Sequence, residues 1–155
     1  MALSLASPAF VEGDEIPERY TCQGQNTSPP LSWADLPAGT ESLALIVEDP
    51  DAPDPRAPKR VFTHWLLYNI PADTHELPEG SKELPPGATL GKNDFEKVGW
   101  GGPCPPRGRH RYFFRLYALD QRLPDLHQPH KADLLEALRG HVLAEAVLMG
   151  TYEKH

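Results

Sequence analysis

Residues 42–49 have the sequence Ser42-Leu43-Ala44-Leu45-Ile46-Val47-Glu48-Asp49, in which five apolar residues are followed by two acids. A short apolar stretch bounded by polar and turn-forming residues is typical of a buried β-strand. Further stretches of strand length lie at 61–70 and 111–119, and shorter candidates lie at 2–5, 31–33 and 148–152. The chain is therefore predicted to be mostly β.

The connections between these segments are long and rich in proline, which supplies 18 of the 155 residues. Proline cannot donate to a central ladder, so these connections are predicted to be loops or edges. They cover residues 26–30, 50–58, 78–86 and 99–108.

One segment has the spacing of a helix. Leu134, Leu135 and Leu138 fall on one helical face between 131 and 139, and Gly140 is a plausible stop. Residues 141–146 are expected to form a second short turn. Many strands followed by few helices predict a single domain over 1–155, an antiparallel β-sandwich of Greek-key type with one or two short helices near the C-terminus.

Polar residues occur where three of the predicted apolar rows end. Side chains two residues apart on a strand share a face, so each row can be followed to its polar end. The rows are Leu43, Leu45 and Val47 with Asp49; Phe62, Leu66, Tyr68 and Ile70 with His64; and Phe114, Leu116 and Ala118 with Tyr112 and His110. Such groups need partners when buried, so we expect a shared polar pocket at one end of the core.

Two loops adjoin this predicted pocket. The loop 49–53 contains two prolines, which stiffen it and orient Asp49. The loop 99–108 contains Gly101 and Gly102, and exposed amides in such a loop can form an anion-binding concavity. Arg107, Arg109 and Arg111 either make this region locally positive or form an ordinary solvated charge run.

Composition argues against some classes of protein and leaves the state of the two cysteines open. The net charge of −7 argues against non-specific binding to nucleic acid, which requires a basic face. No segment reaches the ~18 apolar residues of a membrane span. The first residues lack the pattern of a secretion signal, so we expect a cytoplasmic protein. Cys22 and Cys104 are expected to be free thiols, with a disulfide between them as the alternative.

Several motifs, in order along the chain, resemble the phosphatidylethanolamine-binding protein family. They are Asn26-Thr27-Ser28-Pro29-Pro30-Leu31-Ser32-Trp33, Asp49-Pro50-Asp51-Ala52-Pro53, His64-Trp65, Gly102-Pro103-Cys104-Pro105-Pro106 and His110-Arg111-Tyr112. The likeness is greatest to the short bacterial and archaeal branch, which is related to the Raf kinase inhibitor protein. It extends from about Phe10 to Tyr152.

The resemblance implies a β-sandwich with a small pocket for phosphate, phosphorylethanolamine or a similar anion. It also implies a homodimer, and neither a cofactor nor a metal is expected. Together with the loop argument, it gives the predicted ligand-binding residues as Asp49, Pro53, Phe62, His64, Gly101, Gly102, Pro103, His110 and Tyr112.

Three functions are compatible with this pattern. The favoured one is a non-enzymatic module that binds a small phosphorylated or anionic ligand and modulates a protein partner. The alternative is a hydrolase that uses Asp49, His64 and His110 either as a metal triad or as an acid–base pair. The third is a scaffold or inhibitor that acts through its surface.

Overall fold

The computed structural model describes residues 2–81 and 83–155, which form two antiparallel sheets and one α-helix. The smaller sheet has the order β1-β2-β5, with β1 at Ser4–Ala6, β2 at Leu31–Ala34 and β5 at Glu76–Leu77. The larger sheet has the order β6-β4-β3-β7-β8. Its strands are β3 at Ser42–Ala52, β4 at Arg60–Pro71, β6 at Thr89–Leu90, β7 at His110–Leu119 and β8 at Val142–Tyr152.

The larger sheet confirms the predicted Greek-key arrangement. β3, β4 and β6 lie side by side, and β7 then returns to pair with the free side of β3. This is the spatial order in which the fourth strand of a Greek key lies beside the first. The helix α1 spans Lys131–Leu138, as predicted.

Two apolar layers cover the two faces of the larger sheet. Between the sheets, Leu45, Trp65 and Phe114 pack with Leu31 and Trp33 of the smaller sheet, which makes the structure a sandwich. On the opposite face, Leu134 and Leu138 of α1 pack on a second cluster, whose sheet members include Ala44, Ile46, Leu66 and Tyr68.

The prediction of a second turn at 141–146 is wrong, because β8 begins at Val142 and pairs with β7 along its length. The sequence pattern does not identify the beginning of this strand, because β8 lies at the edge of the sheet. Val142 and Leu143 remain exposed, and burial alternates only from Glu145 onward. Pairing with β7, a non-local contact, therefore determines the conformation here.

The expectation of two free thiols is also wrong. Cys22 and Cys104 form a disulfide whose Cα atoms lie 5.4 Å apart, although 82 positions separate them in the sequence. The fold brings together the segment after a 3₁₀ turn at Glu18–Tyr20 and the proline-rich loop before β7. Separation along the chain carries no information about this proximity.

No helix in the described part of the chain is both long and apolar enough to cross a membrane.

Candidate functional site

A cavity of about 390 Å³ opens at one end of the larger sheet. Antiparallel pairing places the end of β3 beside the beginnings of β4 and β7, as the partners Asp49 with Phe62 and Glu48 with Phe113 show. The cavity is lined by Asp49, Ala52, Pro53, Lys59, Arg60, Phe62, His64, Phe95, Cys104, Pro105, Pro106, His110 and Tyr112. Six of the nine predicted ligand-binding residues are thus brought together.

His64 reaches the cavity by a route that strand alternation does not predict. Val47 pairs with Trp65 and Glu48 pairs with Thr63, so His64 is the extra residue of a β-bulge in β4. Trp65 packs between the sheets, whereas Leu66 and Tyr68 pack on the helix side. The predicted row that joined His64 to Leu66 and Tyr68 is therefore wrong, although His64 still lines the cavity.

His64 is a neutral hydrogen-bonding group in this cavity. Its Nδ1 lies 2.6 Å from the carbonyl oxygen of Gly101, which can only accept, so Nδ1 carries the proton. The residue is 3 % exposed, and burial lowers the pKa of the imidazole to about 4. Its Nε2 makes no hydrogen bond with a described residue and is left as an unprotonated acceptor.

Asp49 and His110 form a buried pair whose hydrogen-bonding atoms are all used within the protein. His110 Nδ1 lies 2.6 Å from Asp49 Oδ2, and Asp49 Oδ1 accepts from the amide of Asp51. His110 Nε2 faces the carbonyl oxygens of Arg107 and Pro53, at 2.8 and 3.1 Å, so it must be a donor. One proton therefore lies between Nδ1 and Oδ2, and burial raises the pKa of the Asp49 carboxyl despite this bond.

Tyr112 is the unsatisfied group of the site. Its side chain is 1 % exposed, and its hydroxyl is the buried side-chain polar atom that has no hydrogen-bond partner among the described residues. Its ring meets that of His64 edge-on, with centroids 5.2 Å apart. Burial raises the pKa of the hydroxyl well above its usual range, so Tyr112 is a donor at any physiological pH.

Aromatic rings and two basic residues form the outer part of the cavity. Phe62 and Phe95 pack edge to face, with centroids 4.7 Å apart. The guanidinium of Arg60 lies 5.0 Å from the centre of the Phe62 ring and pairs with Asp94 at 3.2 Å. Lys59 lines the same rim. Lys59 therefore adds positive charge at the mouth of the cavity, whereas the charge of Arg60 is offset by Asp94.

The predicted loop residues Gly101, Gly102 and Pro103 support the wall from behind and are not among the described lining residues. The amide of Gly101 donates to His64 O, and that of Gly102 donates to Asn26 Oδ1. These two amides are not available to an anion. A side chain at Gly102 would collide with Tyr20 O and Asn26, so glycine is required for packing at this position.

The basic cluster of the sequence does not make the cavity positive, because two of its members are paired with acids elsewhere. Arg111 binds Asp51 through Nε and Nη2, at 3.0 and 2.9 Å. Arg109 lies near Glu15 and Glu153. The sequence analysis missed the lining residues Ala52, Lys59, Arg60, Phe95, Cys104, Pro105 and Pro106. Of these, Ala52, Cys104, Pro105 and Pro106 lie within the quoted motifs, whereas Phe95 carried no signal.

The geometry does not favour the hydrolase alternative. Asp49 and His110 bind each other, while His64 Nδ1 is turned to Gly101, so the three do not face a common centre. Within residues 2–81 and 83–155, no group of three or more His, Cys, Asp or Glu side chains is arranged to hold a metal ion.

Comparison with known proteins gives one consistent result. The family model described as phosphatidylethanolamine-binding protein matches residues 6–153. A UPF0098 protein of Methanothermobacter thermautotrophicus is 50% identical over 155 residues, covering 98% of this chain and 99% of the relative.

Two solved structures are similar over the whole chain. A phosphatidylethanolamine-binding protein homologue from Chlamydia trachomatis has a TM-score of 0.92 and 45% identity, with 99% of each chain covered. YbcL of E. coli, described as a member of the mammalian family of these proteins, has a TM-score of 0.90 and 33% identity, with 100% of each chain covered.

Proposed function

Because the chain belongs to the phosphatidylethanolamine-binding protein family, we propose that its cavity binds a small anion of the phosphate type without transforming it. The observation that carries the proposal is the hydroxyl of Tyr112, a buried donor on the cavity wall that lacks a partner among the described residues. An unsatisfied buried polar group costs about 1–3 kcal/mol, and a ligand oxygen that accepts from it removes that cost.

Size and charge support the same proposal. A cavity of about 390 Å³ falls within the range of small-molecule sites and accommodates a phosphate with a short substituent. Lys59 at the rim attracts an anion, and Phe62 and Phe95 offer an apolar surface to its substituent. The phosphatidylethanolamine in the family's name has a head group of this chemistry.

Three finer expectations belong to this proposal. They are modulation of a protein partner by the loaded or empty pocket, assembly into a homodimer, and residence in the cytoplasm. The disulfide between Cys22 and Cys104 weighs against residence in a reducing cytoplasm, because such bonds persist mainly in oxidising compartments or in intracellular proteins of hyperthermophiles.

The test is a calorimetric titration of phosphate and of phosphorylethanolamine into the wild-type protein and Tyr112→Phe. We expect saturable binding that weakens about tenfold in the variant, because one hydrogen bond of about 1.4 kcal/mol is lost. Tyr117→Phe is the matched control, since Tyr117 lies on the same strand but packs on the helix-side cluster. Absence of saturable binding to the wild type, or equal affinity in Tyr112→Phe, would contradict the proposal.

A further inference from the structure

The disulfide attaches one wall of the cavity to a segment outside it. Cys104, Pro105 and Pro106 line the cavity, and Cys104 is bonded to Cys22, which follows the 3₁₀ turn. Cys22 is exposed to solvent, whereas Cys104 is partly buried. A reductant therefore meets the bond on the side of Cys22, and the effect of breaking the bond falls on the cavity wall.

Few hydrogen bonds hold this part of the wall. In the described part of the chain, no residue of 104–109 makes a backbone–backbone hydrogen bond, and two of these residues are prolines without an amide hydrogen. The nearest hydrogen bonds are Cys22 N to Pro103 O at 3.1 Å, before the segment, and His110 Nε2 to Arg107 O at 2.8 Å, within it. The disulfide is thus the covalent anchor of the segment.

The loop before this segment is held independently of the disulfide. The amides of Gly101 and Gly102 donate to His64 O and to Asn26 Oδ1. These bonds remain when the disulfide is broken. Loosening should therefore be confined to 104–109, while the strands that carry the other cavity residues keep their positions.

We infer that the disulfide regulates the cavity, so that the oxidised protein binds the ligand and reduction by a dithiol weakens binding. Such regulation rests on the proposed function and concerns the same site. With the bond intact, the wall at 104–106 is already in place. Once the bond is broken, 104–109 must be ordered as the ligand binds, and that cost lowers the affinity.

The reaction is a thiol–disulfide exchange that transfers two electrons. A thiolate of the dithiol attacks Cys22 Sγ, the bond to Cys104 Sγ breaks, and the electron pair leaves with Cys104, which takes up a proton from water. The second thiol of the reductant then attacks the mixed disulfide and releases Cys22 as a thiol. The dithiol loses two electrons and two protons and leaves as a disulfide.

The first test is a calorimetric titration of phosphorylethanolamine into the oxidised protein and into the same protein kept in excess dithiothreitol. We expect the reduced protein to bind at least about tenfold more weakly. The double variant Cys22→Ser with Cys104→Ser should bind as weakly as the reduced protein, and dithiothreitol should not change its affinity.

A second variant separates loosening of the wall from a general loss of stability. The disulfide links residues 82 positions apart, so breaking it also destabilises the fold. Leu138→Ala destabilises the fold from the helix-side cluster, on the opposite face of the sheet from the sandwich core. This variant should keep the affinity of the oxidised wild type within about twofold, and all the proteins should keep the native far-UV circular dichroism.

Coupling between ligand and disulfide must act in both directions. A ligand that binds the oxidised protein tenfold more tightly makes the disulfide tenfold harder to reduce, which for a two-electron couple is about 30 mV. Saturating phosphorylethanolamine should therefore lower the reduction potential of the disulfide by about 30 mV in a titration with dithiothreitol, followed by counting free thiols.

Each other outcome overturns the regulation. Affinity that is equal or higher after reduction, or a potential that phosphorylethanolamine leaves unchanged, overturns it and leaves anion binding standing. A tenfold loss in Leu138→Ala, or loss of the native circular dichroism on reduction, does the same, because the effect would then come from the whole fold. Two free thiols in protein purified without reductant would show that the bond does not form. Absence of binding to the oxidised protein overturns both the regulation and the proposed function.

Discussion

Asp49 and His110, on one side of the cavity, find protein partners for each hydrogen-bonding atom of their side chains, whereas Tyr112 Oη and His64 Nε2, beside them, have none among the described residues. All four residues are buried at the ends of apolar strands, so burial and position do not separate them. We call the first two the satisfied pair and the other two the open pair. Under the proposed function, the satisfied pair positions the wall of the cavity and the open pair contacts the ligand.

The largest change in stability is expected when the satisfied pair is disrupted. Asp49→Ala leaves His110 Nδ1 and the Asp51 amide without partners in a buried site. A buried group left without its hydrogen-bond partner costs about 1–3 kcal/mol, so the free energy of unfolding in urea at pH 7 should fall by about 3 kcal/mol. Asp14→Ala, at an exposed acid, is the control and should change it by less than about 0.5 kcal/mol.

A loss below about 1 kcal/mol in Asp49→Ala would show that the pair is not a coupled structural unit. The positioning role assigned to it would then fail, whatever the variant does to ligand binding.

The open pair should appear in the pH dependence of stability. Folded His64 stays neutral down to about pH 4, while in the unfolded chain it takes up a proton near pH 6.5. The unfolded state therefore binds more protons between these values, so stability rises with pH across that window and is lost on acidification. We expect a loss of about 2 kcal/mol between pH 6.5 and pH 5.

His64→Asn isolates this contribution, since the difference between its stability curve and that of the wild type should carry the loss. Asp49 acts in the opposite direction, because its raised pKa makes stability fall as pH rises through its own titration. Parallel curves for wild type and His64→Asn from pH 6.5 to pH 5 would show that His64 is not held neutral.

Much of this arrangement follows from the sequence, and the part that does not has identifiable causes. Alternation along regular strands predicted that Asp49 and Tyr112 share a pocket, and both side chains line the cavity. His64 entered the same prediction through an alternation that its bulge breaks. A bulge is an accommodation between two paired strands, so one strand read alone gives no sign of it.

The difference between the satisfied and open pairs could not be predicted from the sequence either. It depends on the carbonyl oxygens of Arg107, Pro53 and Gly101, which come from loops whose path the side-chain pattern does not determine. The sequence analysis accordingly assigned both imidazoles to the anion. The disulfide was missed for a related reason, since its two loops meet only in the folded chain.

The smallest expected effect distinguishes two buried tyrosines, because the two Tyr→Phe substitutions should change the free energy of unfolding in opposite directions. Tyr112 and Tyr152 are both almost fully buried on neighbouring strands, but Tyr152 Oη donates to Gln23 Oε1 at 2.7 Å. Tyr152→Phe removes a made bond and should lower the free energy of unfolding by about 1 kcal/mol. Tyr112→Phe removes a buried hydroxyl that makes no hydrogen bond with a described residue. It should raise the free energy of unfolding by about 1 kcal/mol in buffer free of phosphate and sulfate.

Saturating phosphate then provides the decisive comparison, since a ligand stabilises only the state that binds it. Wild type and Tyr152→Phe should gain stability, and Tyr112→Phe should gain less, so the advantage of Tyr112→Phe shrinks or reverses. If Tyr112→Phe were destabilised in ligand-free buffer, its hydroxyl would have a partner in the folded protein and would belong with the satisfied pair. The order of the two tyrosine variants, with and without ligand, therefore tests whether an unsatisfied buried group marks the point of ligand contact.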